Sequence, residues 1–100
     1  MTFEELKTVT GKLLRSGTSV WVIRTHYGNM ISRELDHRVG ALEGEKREAR
    51  KEAKRLALAG LESDDYDLQE AWLVQAKKVV EIQREIDVAE YQLDRELGLV

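Results

Sequence analysis

The chain has no cysteine and no proline. The first absence excludes disulfides and thiolate metal sites, and it is compatible with a reducing cytoplasm, where the protein is expected. The second suits long uninterrupted helices, because proline removes a helical hydrogen bond and clashes with the preceding turn. No apolar run reaches the roughly 18 residues of a spanning helix, so no membrane segment is expected. Met1 to Arg15 includes Glu4 and Glu5 and lacks the apolar core of a secretory signal.

Groups for chemistry are also scarce. His26 and His37 are the only histidines, and neither has a partner at metal-ligand spacing. No serine lies in a nucleophile elbow, and no glycine-rich phosphate loop or RNA-binding signature occurs. Asp64-Asp65-Tyr66-Asp67 with Glu70 lacks the spacing and the glycine of an EF-hand loop, so helix capping explains it better than calcium. The expectation is a protein that is not an enzyme, with no catalytic residues, no metal ligands and no cofactor.

What is present is charge and helical rhythm. Charged residues make up 35% of the chain and apolar residues 42%, a thin core under a solvated surface. Residues 1–40 carry six Lys/Arg against four Asp/Glu, residues 41–60 the same, and residues 61–100 four against eleven. A basic ascending arm and an acidic descending arm would attract each other.

Two stripes mirror each other across the acidic segment. One is Leu35, Val39, Leu42, Lys46, Ala49, Ala53, Leu56, Gly60, and the other is Leu68, Trp72, Gln75, Val79, Ile82, Ile86, Ala89, Leu93. Both step 4-3-4-3, the seam of one helix packed on another. An antiparallel hairpin folded about Asp64 pairs Leu56 with Trp72, Ala49 with Val79, Leu42 with Ile86 and Leu35 with Leu93.

Before the hairpin, Thr2-Phe3-Glu4-Glu5 reads as a capping box, with Phe3, Leu6, Val9, Leu13 and Leu14 at helical spacing. A first helix is expected near residues 3–15, closed by Gly17. Thr18 to Tyr27 is rich in β-branched and aromatic residues and reads as a strand. It needs a partner for its backbone. Either Gly28-Asn29 turns a hairpin with Met30 to Glu34 as the return strand, the favoured arrangement, or Asn29 caps a helix from Met30 and the strand pairs with a second chain.

The expected fold is therefore mostly helical α+β. A short N-terminal helix and a small β element, hairpin or intermolecular strand, lead into a long antiparallel helical hairpin with coiled-coil-like packing. Residues 1–100 form one domain, with 1–28 holding the helix and strand and 29–100 the rest.

Two surfaces stand out. The hairpin has more apolar residues than its seam needs, and Leu58, Leu61, Trp72, Leu73 and Val80 form the expected interface. The β element collects Trp21, Arg24, His26, Tyr27, Asn29 and Arg33, which are the expected binding residues. Against this, Trp21 and Ile23 also suit a core. The basic stripe Arg47, Arg50, Lys51, Lys54 is interleaved with Glu43, Glu45, Glu48 and Glu52, which suits a solvated, salt-bridged face better than a phosphate contact.

The expected function is a self-associating interaction protein, a homodimer or higher, that binds or inhibits another protein. The alternative is a binder of an anionic ligand, nucleotide or nucleic acid through the N-terminal basic and aromatic residues. A structural assembly subunit is the third reading.

Overall fold

The computed structural model describes residues 1–62 and 66–100. The expected turn centred on Asp64, with its Asp64-Asp65 pair, lies partly outside the described residues. Among those described there are three helices and no strand: α1 (Phe3–Arg15), α2 (Val20–Glu62) and α3 (Tyr66–Glu96).

The helix α1 begins where the sequence places it. The Thr2 hydroxyl accepts from the Glu5 N–H at 3.2 Å. Its end is set by Gly17, at φ +88°. The Thr18 N–H donates to Leu13 O at 3.0 Å and the Gly17 N–H to Leu14 O at 3.1 Å. This 6→1 and 5→2 pair is the Schellman motif, which satisfies carbonyls the helix leaves open.

The β element is corrected. The segment from Val20 to Tyr27 is the first two turns of α2, and the fold is all helical rather than α+β. Gly28-Asn29 is not a turn, and no return strand follows. A cap and a buried stripe overcome the propensity of the β-branched residues. Ser19 Oγ accepts from the Val22 N–H at 3.3 Å and Ser19 O from the Ile23 N–H at 3.2 Å, which starts the helix. Val20, Ile23, Tyr27, Ile31 and Leu35 then step 3-4-4-4, and all pack in the core. Helical β-branched residues cost about 0.5 kcal/mol each. Burying one such side chain returns about 1.5–3 kcal/mol.

The chain divides into two compact units, residues 1–39 with 88–100, and residues 40–87. In the first, Leu6 of α1, Ile23 of α2 and Leu93 of α3 meet Leu97 and Leu99 in a common core. Gly98, at φ +77°, sends Leu99 back into that core through a second Schellman motif. There the Leu99 N–H donates to Asp94 O at 2.8 Å and the Gly98 N–H to Arg95 O at 3.1 Å. A Cβ on Gly98 would lie 3.0 Å from Leu14 Cδ1, so glycine suits the site in both conformation and space. Thr10, buried in α1, donates its hydroxyl to Leu6 O at 3.0 Å.

Two ion pairs tie α2 to α3 in this unit, as the opposite charges of the arms suggest. Arg24 Nη2 meets Asp94 Oδ2 at 3.1 Å, and Arg38 reaches both Glu96 and Glu34. Arg38 also sits over the Phe3 ring, 4.8 Å from its centroid. Burial opposes the charge on Arg38, but hydrogen bonds to Glu96 and Glu34 outweigh it and raise its pKa.

The second unit is an antiparallel pair formed by α2 and α3. Its buried apolar side chains are Ala49, Leu56, Ile82 and Ile86, all seam positions. Leu42, Ala53, Val79 and Gln75 on the same seam are half-buried. Lys46 donates to Gln83, one residue from the expected level of Ile82, so the register agrees with the seam.

Candidate functional site

The residues expected to bind through the β element are spread around four turns of α2. Trp21 is 74% exposed and so is not core, whereas Ile23 is fully buried. Arg24 is committed to Asp94. Tyr27 packs on the core and meets His26 edge-on, with ring centroids 4.8 Å apart. His26, Asn29 and Arg33 are exposed at i, i+3 and i+7, on a different face from Trp21. The six residues thus share a segment without converging on one point.

The second unit carries a more concentrated feature. On α2, Glu43, Arg47, Arg50, Lys54, Ala57 and Leu61 step 4-3-4-3-4 and form one flank beside the seam. On α3, Gln69, Leu73, Ala76, Val80, Gln83 and Asp87 step the same way. Ala57 and Leu61 of the first row and Gln69 and Leu73 of the second line one cleft, which places the two rows on the same side of the hairpin. Ala57, Gly60 and Leu61 from α2 and Leu68, Gln69, Trp72 and Leu73 from α3 line an apolar cleft of about 390 Å³ toward the acidic segment. Leu61 is 84% exposed there, and Trp72, a seam position, is still 41% exposed. Farther along the same side, Ala76 and Val80 form a shallow depression bordered by Lys77, Glu81 and Arg84. Among the expected interface residues, Leu61, Trp72 and Leu73 therefore share one cleft, and Val80 lines the separate depression on α3. Leu58 is exposed on the outer surface of α2, away from the cleft.

Compared with known protein families, characterised proteins and solved structures, this chain matches none.

The opposite side of the hairpin is acidic. Glu45, Glu48 and Glu52 line a depression with Gln75 and Lys78. Two of these acids are paired along their own helix, Glu48 with Lys51 and Glu52 with Arg55. The hydrogen bond from Arg55 holds Glu52 below the usual carboxylate range. In sequence the acids and bases of α2 alternate, which hides this separation. The signal lies in the 4-3 rows on either side of the seam: 47, 50 and 54 fall on one, and 45, 48 and 52 on the other.

Among the described residues no cluster of His, Asp or Glu can hold a metal ion. No described helix is long and apolar enough to cross a membrane.

Proposed function

We propose that this chain is a non-catalytic interaction protein that binds another protein through the apolar tip of its helical hairpin. The observation that carries this reading is the exposure of Leu61, Trp72 and Leu73 around one cleft. Exposed apolar patches rimmed by polar groups mark interaction surfaces, and buried aromatic anchors dominate their energetics. The cleft walls are apolar and offer no converging set of polar groups, which suits side-chain anchors better than a polar small molecule. Self-association is the second reading. It is favoured by the thin interior of a unit whose buried apolar side chains are Ala49, Leu56, Ile82 and Ile86.

Affinity capture from native lysate tests the proposal with a Leu61→Gln/Leu73→Gln variant. Both side chains are exposed, so the fold is retained. Capture is expected to fall at least about tenfold, the equivalent of about 1.4 kcal/mol. An Arg24→Ala/Tyr27→Ala/Arg33→Ala variant, checked for retained melting temperature, is expected to capture as the parent does. Capture that survives the first variant and disappears with the second would overturn the assignment. A light-scattering mass of twice 11.5 kDa, reduced to the single-chain value by the first variant, would favour self-association.

A further inference from the structure

Resting on the tip as a docking surface, we propose that its occupant is an amphipathic helix whose apolar anchors are flanked by lysine or arginine. From Leu56 to Ala76 the sequence has five Asp/Glu and no Lys, Arg or His. Of these acids Glu62, Asp67 and Glu70 lie among the described residues, and all three are exposed. Glu62 follows the cleft residue Leu61, and Asp67 precedes Leu68. Glu70 follows Gln69 and lies one turn before Leu73. Neither Glu62 nor Glu70 forms an ion pair among the described residues.

The nearest bases sit past the other end of the cleft. Lys54 and Lys77 each lie about one turn beyond a lining residue, Ala57 or Leu73. Arg55 is held by Glu52, and Lys78 lines the separate depression with Glu45, Glu48 and Glu52. The charge directly beside the cleft is therefore acidic.

The case for a helix comes from the first unit. There α1 is a third helix on the α2–α3 pair, with Leu6 buried beside Ile23 and Leu93. The second unit, residues 40–87, has two helices and no third among the described residues. Its cleft follows α2 from Leu56 to Leu61, about 7.5 Å at 1.5 Å per residue. That is enough for anchors at i and i+4 of a docked helix.

An apolar floor beside unpaired carboxylates selects its partner on both counts. The floor supplies affinity, and the acids supply orientation, on-rate and discrimination. Lysine and arginine stems also cover apolar surface while their charged ends reach outward. A nucleic acid or an anionic membrane would meet like charge here. A two-fold pairing of tip on tip would set the same acids against each other.

The test uses the full chain carrying Trp21→Phe, so that Trp72 alone reports by fluorescence. The probe is a labelled three-heptad peptide with Leu at a and d and Lys at e and g, dilute enough to be monomeric. Its twin has Glu at e and g. At low salt the Lys peptide is expected to bind at least about tenfold more tightly than the Glu twin and to change Trp72 emission. Glu62→Gln/Glu70→Gln is expected to remove most of that preference with an unchanged circular-dichroism spectrum. Glu45→Gln/Glu85→Gln, an equal change of charge away from the cleft, is expected to keep it. Leu61→Gln/Leu73→Gln is expected to weaken both peptides. Equal binding, preference for the Glu twin, no binding, or a preference that survives Glu62→Gln/Glu70→Gln would overturn the proposal. So would equal losses in the two glutamine pairs, or a two-chain mass by light scattering that the Lys peptide does not dissociate. If one of these contrary results appears while lysate capture still depends on Leu61 and Leu73, the docking surface stands and the basic-helix assignment alone falls.

Discussion

Ala49→Glu is expected to lower the melting temperature by more than about 10 °C, while Arg50→Glu leaves it nearly unchanged. Ala49 is 4% exposed at the seam of the hairpin, and its neighbour Arg50 is exposed on the flank. A glutamate at position 49 would place an unpaired charge between two helices, or force them apart. The penalty for an uncompensated buried charge is about 3 kcal/mol or more. In a domain of this size each 1 kcal/mol moves the midpoint by about 4–8 °C. A charge reversal on the exposed flank changes stability by about 0.5 kcal/mol at most. Thermal unfolding followed by circular dichroism compares the two. Equal midpoints would mean that the hairpin packs in another register.

The second large effect concerns the start of α2. Ile23→Ala is expected to cost about 2–5 kcal/mol, the usual range for truncating a fully buried side chain. Trp21→Ala removes a larger side chain two residues away and is expected to cost about 0.5 kcal/mol or less, because Trp21 is 74% exposed. The contrast separates helix from strand. In a helix, residues two apart point about 200° away from each other. In a strand they share a face, and both substitutions would hurt alike. Urea unfolding of the two variants measures the difference, and similar losses would contradict the helix.

The parts of the fold legible in the sequence are those whose signals agree with one another. At α1, the Thr2 cap, the apolar spacing and Gly17 all favour one helix, and it runs from Phe3 to Arg15. The hairpin is legible because two 4-3 rows repeat over many turns, and every position of both rows except Trp72 is at least half-buried. Thr18 to Tyr27 was not legible because local preference and long-range packing conflict there. Val20, Val22, Ile23 and Thr25 favour a strand locally. The stripe that continues into Leu35 buries Ile23 against α1 and α3, contacts that lie far away in sequence. Ser19 was the available signal for a helix start. Likewise Gly98 marks a turn, but the return of Leu99 to the core depends on Leu14 and its neighbours. The site divides in the same way. The surplus of apolar residues at the tip is visible in the sequence. Which of them share a cleft, and which charges border it, depends on the hairpin register.

Site-specific photo-crosslinking in native lysate tests the placement of function most directly. A photoreactive phenylalanine analogue is placed in turn at Leu61, at Lys51 on the outer surface of α2, and at Asn29 among the residues first expected to bind. All three positions are exposed, so each variant retains the fold. The account predicts a discrete adduct with a foreign protein from position 61 and none from 51 or 29. Adducts from position 29 with none from position 61 would contradict it.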